Sequence, residues 1–254
     1  IGSSSIKYAL FALDTLAEID RGKVACSAEE SEVTLELLLQ RIPSPVLVAH
    51  RIVHGGTRYK TATLLNNEIL AELDGFSPFA PLHQPHNLNG VRIVSKVLPD
   101  IPQYGCFDTG FHAEHNELHS AFAIPQDLRD MGLKRYGFHG LSYNWIAGQT
   151  NFKRMVVAHL GSVASLCALL DGKSIDSTMG LTALDGLPMA TRSGSIDAGL
   201  ILYLAKNLGY SPAKIEEILY TQSGLKGLSG ISNDFKTLME SPDPRAKFAI
   251  DYFV

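Results

Sequence analysis

The chain has 254 residues, of which 45% are hydrophobic and 19% are charged, and its formal net charge is −4. This length supplies a sizeable core in one large domain or two modest ones, and the negative charge gives no general affinity for nucleic acid or for anionic membranes. The longest apolar stretch, residues 155–170, contains His159 and Gly161 and falls short of the roughly 20 residues that a membrane span needs. We therefore expect no nucleic-acid partner and no membrane partner, and any anion site must be local.

The three cysteines and the chain ends suggest where the protein works. Cys26, Cys106 and Cys167 are widely spaced and form no C-x-x-C motif, which is typical of buried thiols in a reducing compartment. No charged-then-apolar leader is recognisable, so we predict a cytoplasmic protein. The chain opens on Ile1 and its last helical pattern breaks off at Val254, so we expect it to be truncated at both ends.

Apolar periodicity predicts strands and helices in mixed order along the chain. Hairpins within each half, such as the one expected at Asp171-Gly172, favour an α/β fold with mixed rather than purely parallel sheets. In chain order we predict strand 7–13, strand 23–26, helix 31–39, strand 61–69 with a turn at Asn66-Asn67, helix 87–98, strand 104–108, helix 142–148, strands 155–160, 164–170 and 173–176, and helices 196–208, 212–220 and 244–254.

The opening residues carry three serines and a lysine on one expected turn. Ser3, Ser5 and Lys7 offer hydroxyl, N–H and ammonium donors that suit a phosphate group. A solvent-exposed serine turn explains the same residues.

Arg51 and Asp108 are the charged residues that follow or interrupt apolar runs. Arg51 lies in the apolar segment 50–56, which ends in Gly-Gly, and a buried guanidinium needs an anionic partner. That partner is either a substrate or an internal carboxylate. Asp108 follows a short apolar strand, a place suited to a catalytic or magnesium-linked carboxylate and equally to a helix cap or turn.

Several histidines lie near glycines or near one another. His112, His115 and His119 have helical spacing, but the Glu that a zinc-protease motif needs directly after its first histidine is missing, so we favour a solvated helix face over a metal site. His139 lies between glycines in YGFHG and is open to a ligand, while His83 in LHQPHN faces a cleft or an ordinary loop. We expect Asn87 to cap the next helix.

The block from His159 to Gly199 combines two strands with a Gly/Ser/Thr-rich loop that carries Arg192. Small-residue turns such as Gly161-Ser162 expose backbone N–H groups that can hold phosphate oxygens. An arginine on such a loop suits a carboxylate or a phosphoryl oxygen. The block therefore predicts anion chemistry, with phosphate as the favoured anion.

Taken together and in order, these segments resemble the acetate kinase family of short-chain carboxylate kinases. The resemblance covers essentially the whole chain and implies an α/β fold of the actin/Hsp70/sugar-kinase type, with two actin-like (ribonuclease H-like) domains and mixed sheets around a nucleotide cleft. It implies an N-terminal domain at 1–113, an incomplete nucleotide-binding domain at 114–254, and a homodimer. The segments that carry it are GSSSIKYALF, HRIVHGG, APLHQPHNL, FDTGFH, RYGFHGLSY, HLGSVASLCA, TRSGSIDAG and SGLKGLSGIS.

The resemblance implies reversible phosphoryl transfer between ATP and acetate, giving ADP and acetyl phosphate, with Mg²⁺ as cofactor. It implies catalytic roles for Asp108, His139 and Arg192. It assigns substrate contacts to Arg51, Val53, Leu82, His83 and Phe138, and phosphate or nucleotide contacts to Ser3, Ser5, Lys7, His159, Gly161 and Ser162.

Departures from the family pattern leave alternatives open. The asparagine that precedes the opening turn and the segment expected beyond Val254 are not in the sequence. The family motif HLGNGAS is HLGSVAS here, and a β-branched Val163 resists positive φ and hinders close phosphate approach, which would suit a non-catalytic homologue that binds ATP poorly. An acid of the family is replaced by Ser195. Ala183, where the family commonly has Pro, leaves room for a longer acyl tail, so propionate or butyrate is an alternative substrate.

Overall fold

The computed structural model describes residues 5–27 and 29–254, and its alternating strands and helices confirm the predicted α/β class. The chain divides into two compact units, Ile1–Gly110 and Phe111–Val254. The elements in chain order are β1 (Ser5–Phe11), β2 (Glu18–Ala25), α1 (Ser31–Arg41), β3 (Val48–Ile52), β4 (Thr63–Leu64), α2 (Asn67–Asp74), α3 (Gln84–Val97), β5 (Gln103–Phe107), α4 (Glu117–Ser120), α5 (Gln126–Asp130), α6 (Gly140–Gly148), β6 (Arg154–His159), β7 (Ser165–Leu170), β8 (Lys173–Ser177), α7 (Ala198–Lys206), α8 (Pro212–Glu217), α9 (Gly224–Ser229), α10 (Phe235–Glu240) and α11 (Pro244–Phe253).

The first unit contains an antiparallel pair, β1 with β2, and a mixed sheet in the order β3–β5–β4. Strands β3 and β5 run parallel with Ile52 opposite Phe107, while β4 is antiparallel to β5. Because parallel strands end at the same edge of a sheet, the residues that follow them, Val53 and Asp108, lie at one edge.

Helix α3 joins two apolar clusters of the first unit. Its residues Leu88 and Val91 pack on the β3–β5 sheet, and Ile93 and Val94 pack towards β1 and α1. Side chains three and four positions apart share a helix face, so the apolar stripe predicted for this helix is wide enough to serve both. The first cluster also contains Ile52, Tyr59, Leu70, Leu73 and Phe107, and the second Ile6, Cys26, Leu35 and Leu38.

The second unit is built on the antiparallel sheet β6–β7–β8. Asp171 (φ 49°) and Gly172 (φ 74°) both have the positive φ that a two-residue hairpin turn requires, which confirms the predicted hairpin. Cys167 and Leu169 pack beneath this sheet with Tyr143 of α6. The C-terminal helices form a separate cluster around Leu225, Leu238, Ala246 and Ala249.

The strand predicted at 61–69 is largely wrong. Only Thr63–Leu64 is a strand, and α2 begins at Asn67. The Asn66 side chain accepts a hydrogen bond from the Ile69 N–H at 2.8 Å, as an N-terminal helix cap does. The Asn-Asn pair that suggested a turn is therefore a helix start.

The solvated helix face predicted for the three clustered histidines is also wrong. His112 ends a short 3₁₀ turn, and α4 begins only at Glu117 after Asn116 caps it. His112 is buried, and His119 alone of the three lies in a helix.

Two smaller expectations at helix and strand ends also differ. Ser5 and Lys7 lie in β1 instead of a turn, whereas Ser3 lies outside the described residues. Asn87 lies inside α3, which begins three residues earlier than predicted. Within the described ranges, no helix is long and apolar enough to cross a membrane.

Candidate functional site

Arg51 and Asp108 form a two-pronged ion pair in the first unit. Arg51 Nε lies 3.1 Å from both carboxylate oxygens, and Nη2 lies 2.6 Å from Oδ2. The Asp108 side chain is only 2% exposed, whereas that of Arg51 is 61% exposed. The ion pair therefore holds a guanidinium at the sheet edge with much of its surface open to solvent, where it can also contact an anion.

The loops beside this ion pair are fixed by backbone hydrogen bonds. The Val53 N–H donates to Asn87 Oδ1 at 3.1 Å, which ties the end of β3 to α3, and the Gly55 N–H donates to Thr109 Oγ1 at 3.0 Å. A Cβ on Gly55 would lie 2.7 Å from the Phe107 ring, so only glycine fits there. Leu82, which is exposed, and His83, which is half-buried, come directly before α3.

His139 and His159 meet in the second unit. His139 is buried just before α6 in the left-handed conformation (φ 59°), and its Nδ1 lies 2.7 Å from Ser165 Oγ. The His139 ring stacks on His159 with ring centroids 4.0 Å apart. His159 Nδ1 in turn lies 3.0 Å from Ser142 Oγ. The end of β6 and the start of α6 thus place two imidazoles together, and Phe138 lies buried directly before them.

The turn after His159 is exposed at Gly161 and Ser162. A Cβ built on Gly161 would meet only Val163 O, at 3.7 Å, so this backbone is open to a ligand. Val163 does not have positive φ, and the strain expected from its β-branched side chain is therefore absent. The Ala190 N–H donates to Ser162 O at 3.2 Å, which joins this turn to the loop that carries Arg192.

Arg192 is 7% exposed, an unusual degree of burial for a guanidinium. Its Nη1 donates to Ala183 O at 3.0 Å, and its guanidinium lies over the Tyr220 ring at 5.5 Å. Burial lowers the pKa of Arg192 from its ordinary value, against the opposite influence of Tyr220. The group is therefore held away from water, where an anion would interact with it strongly.

The segment 219–226 supports the Arg192 loop, and sequence patterns did not identify this role. Ser193 N–H donates to Leu219 O, and the N–H groups of Ser223 and Leu225 donate to Thr191 O and Met189 O. Gly224 has φ +61°, and a Cβ there would lie 2.0 Å from Met189 O and 2.7 Å from Arg192 O. Gly224, the first glycine of SGLKG, is the sequence signal that could have identified this close approach.

Two further positions at which the block departs from the family pattern, Ala183 and Ser195, have clear contacts. The Ala183 carbonyl binds Arg192, as described above. Ser195 Oγ donates to Asp185 Oδ1 at 2.5 Å and accepts from the Gly186 N–H at 3.0 Å. Asp185 also pairs with Arg135 at 3.3 Å. A hydroxyl at 195 therefore satisfies a carboxylate that a second acid would repel.

The structure does not assemble the clustered histidines as metal ligands. Across residues 5–27 and 29–254, no group of three or more His, Cys, Asp or Glu side chains could hold a metal ion. His112 and His115 both contact Ser174 Oγ, while His119 contacts Ile175 O. All three histidines dock on β8.

The comparisons with known proteins agree with this geometry. The sequence profile of the Acetokinase family matches residues 31–254. The chain belongs to the acetokinase family. An acetate kinase of Nitrobacter hamburgensis is 51% identical over 83% of this chain and 54% of its own length, and one of Stutzerimonas stutzeri is 38% identical over 99% of this chain and 73% of its own.

Solved structures of the acetokinase family have the same fold. A propionate kinase from Francisella tularensis superposes with a TM-score of 0.91 at 33% identity, covering 99% of this chain and 75% of the neighbour. An acetate kinase from Porphyromonas gingivalis gives 0.84 at 29% identity, covering 99% and 74%. The chain spans about half the length, 54%, of the first curated relatives that it matches.

Proposed function

We propose that this chain belongs to an enzyme that transfers the γ-phosphoryl group of ATP to the carboxylate of acetate, reversibly, giving ADP and acetyl phosphate. The observation that carries the proposal is the buried Arg192, held on a loop bonded to the open 161–162 turn in a member of the acetokinase family. A buried cation beside exposed backbone N–H groups suits a phosphoryl group.

The reaction needs a group that binds the carboxylate. Arg51 in the first unit supplies a partly exposed guanidinium whose orientation is fixed by Asp108. Its planar donors match a carboxylate, and the apolar Val53 and Leu82 would line the methyl side. His83, Ser3, Ser5 and Lys7 remain proposed anion contacts.

The reaction also needs groups that stabilise a phosphoryl group in flight. A carboxylate oxygen attacks the γ-phosphorus while the bond to the ADP oxygen breaks, and little covalent chemistry is left for the protein. In the second unit, Arg192 would bind the equatorial oxygens and His139 would donate a hydrogen bond to them. Gly161, Ser162 and His159 would contact the nucleotide phosphates, beside the buried Phe138.

Among the proposed site residues, a carboxylate is the group that suits Mg²⁺. Asp108 is the one carboxylate among the proposed site residues, and Mg²⁺ is commonly held by one or two carboxylates together with substrate phosphates. Asp108, whose two oxygens bind Arg51, is the residue that would help to hold the ion, and the ion would neutralise phosphate charge when bound.

The proposed enzyme acts as a cytoplasmic homodimer. Support for the dimer comes from α7, which has no buried residue and exposes Leu200, Leu202 and Tyr203. The free thiols of Cys26, Cys106 and Cys167 suit a reducing compartment. Light scattering of the full-length protein tests the dimer, and a monomer mass at micromolar concentration would contradict it.

The decisive experiment is an acyl-phosphate assay of the full-length protein with Mg·ATP and acetate, propionate or butyrate, trapping the product with hydroxylamine. We expect Arg192→Ala to lose at least about 100-fold in kcat, as for loss of a group that stabilises transition-state charge. Arg245→Ala, at an exposed ion pair with Asp243, is the matched control and should keep full activity. Absence of product with every carboxylate would reject the proposal.

The same assay ranks the carboxylates. One methylene changes kcat/KM by roughly 10- to 200-fold, so acetate and propionate are readily distinguished. Ala183→Pro should shift the ratio towards acetate if the small side chain makes room for the tail. An unchanged ratio would place the acyl tail elsewhere.

A further inference from the structure

His112 is a buried histidine outside the proposed site, and the identity of its partners fixes its protonation. Nε2 lies 2.9 Å from Phe138 O, and Nδ1 lies 2.7 Å from Ser174 Oγ. A carbonyl oxygen only accepts, so Nε2 carries the proton. Burial lowers the pKa of His112 to about 4, against the opposite influence of the Phe138 carbonyl. The ring is therefore neutral, and Nδ1 must accept the Ser174 proton.

Ser174 extends this hydrogen-bond chain to a second histidine. His115 Nε2 lies 2.6 Å from Ser174 Oγ. Since the single hydroxyl proton of Ser174 is committed to His112, His115 Nε2 must be the donor. The chain thus has one direction, from His115 through Ser174 and His112 to the Phe138 carbonyl. Cys167 Sγ lies 3.2 Å from the same Ser174 hydroxyl and helps to shield it from water.

The carbonyl at the end of this chain belongs to the peptide that joins Phe138 to His139. Gly137 on one side has φ +73°, and His139 on the other has φ 59°. Left-handed backbone at a residue with a side chain is strained and persists only where neighbouring groups hold it. A Cβ on Gly137 would lie 2.8 Å from Cγ and Cδ2 of His112. The His112 ring therefore packs against Gly137 and donates a hydrogen bond to the carbonyl of the next residue, Phe138.

We propose that His112 is a positioning residue for the phosphoryl transfer: its Nε2–H holds the Phe138–His139 peptide and so orients the His139 imidazole. This inference rests on the proposed function, in which His139 contacts the migrating group. His112 itself touches no reacting atom. Its removal should therefore act on the transition state and leave ground-state binding of both substrates nearly unchanged.

Two substitutions of His112 in the full-length enzyme separate positioning from packing. The Gln amide nitrogen can take the place of Nε2, whereas the shorter Asn side chain reaches only the place of Nδ1. We expect His112→Asn to lower kcat by about 10- to 100-fold, the range that follows from a misplaced catalytic group, with KM for ATP and carboxylate within about twofold. His112→Gln should stay within about threefold of the parent. Equal losses in both variants, or a loss confined to KM, would overturn the proposal.

A second variant keeps the test decisive if His112→Asn does not fold, as judged by its thermal melt. Ser174→Ala leaves the His112 ring and its Nε2–H bond to the Phe138 carbonyl in place but removes the hydroxyl that holds Nδ1, so the ring is less firmly oriented. We expect a several-fold fall in kcat with KM unchanged, and an unchanged kcat would count against positioning.

An NMR readout distinguishes failure of this inference from failure of the proposed function. Long-range ¹H–¹⁵N spectra should show His112 protonated at Nε2, and the His139 ring signals should move in His112→Asn but not in His112→Gln. If the parent enzyme phosphorylates no carboxylate, the proposed function fails, and the His139 signals still decide whether His112 positions that ring. Unmoved signals in both variants would reject the inference on their own.

Discussion

Asp108 is almost fully buried, and Arg51, which binds it through Nε and Nη2, is mostly exposed. The Asp108 carboxylate is therefore desolvated, whereas the Arg51 guanidinium remains largely solvated. The ion pair results from strands β3 and β5 ending at one sheet edge. The internal carboxylate that sequence reasoning offered as one partner of Arg51 is thus present, and it leaves part of the guanidinium available to a second anion.

This asymmetry predicts unequal effects of removing the two partners on stability. Arg51→Ala leaves a buried carboxylate without its cation, which should lower the free energy of unfolding by about 3 kcal/mol, near the low end for a broken buried pair. Asp108→Asn leaves an arginine that water can solvate, so its cost should be smaller. Urea denaturation of both single variants and the double variant measures the difference, because the double variant should recover part of the Arg51→Ala loss.

An exposed ion pair provides the control for that cycle. Lys214 and Glu217 lie 3.0 Å apart with both side chains about half exposed, and breaking this pair should cost no more than about 1 kcal/mol. If Arg51→Ala costs no more than Lys214→Ala, the buried carboxylate does not depend on Arg51.

Local patterns in the sequence predicted much of this fold. The spacing of Leu88, Val91 and Val94 predicted α3, and Asp171-Gly172 predicted its hairpin, because both depend on neighbours within a few residues. The 61–69 segment failed because Asn66 caps a helix as readily as it forms a turn. Helical spacing of the three histidines failed because their hydrogen bonds to residues of β8 are tertiary contacts.

The candidate site was only partly predictable for the same reason. The resemblance named Arg51, Asp108, His139 and Arg192, and their roles stay predictions. Their partners come from distant parts of the chain: Ser165 for His139, and the Gly224 region for the Arg192 loop. Contacts between residues so far apart in sequence leave no periodic signal.

Gly224 should be indispensable for the Arg192 loop. Gly224→Ala places a methyl group 2.0 Å from Met189 O at a left-handed φ, so the loop must move. We expect a loss of about 2 kcal/mol or more in stability together with a marked fall in kcat. Gly148→Ala, where a Cβ meets nothing within 4 Å, is the matched control and should be neutral or slightly stabilising. Similar melting temperatures for the two variants would contradict the close approach.

Ser195 should resist replacement by the acid that the family carries. Ser195→Asp sets a second carboxylate against Asp185, whose Oδ1 accepts the serine hydroxyl at 2.5 Å. Like charges in contact disfavour the fold, and we expect a loss of about 1 kcal/mol at low salt that shrinks at high salt. Ser195→Ala loses the two hydrogen bonds of the hydroxyl, with Asp185 and with the Gly186 N–H, but adds no charge, and its stability should depend little on salt. An equal salt response of the two variants would exclude charge repulsion.

Two buried histidines should make the fold sensitive to acid. Burial lowers the pKa of His54 to about 3, and burial, opposed by the Phe138 carbonyl, lowers the pKa of His112 to about 4, against about 6.5 in an unfolded chain. Between the folded and the unfolded pKa values, the unfolded chain binds more protons than the folded one. The contribution of each histidine to stability is therefore fully present above pH 6.5. It is lost as the pH falls to the folded pKa, which is about 4 for His112 and about 3 for His54. Each histidine should remove about 2 kcal/mol between pH 7 and pH 5.

Urea denaturation at the two pH values measures this slope. Between pH 7 and pH 5 the free energy of unfolding should fall less in His112→Gln than in the parent, because the glutamine amide does not titrate. The difference should equal the contribution of one histidine. A parental slope in His112→Gln would show that the folded protein holds His112 charged at pH 5, so that Ser174 could not donate to its Nδ1 at that pH.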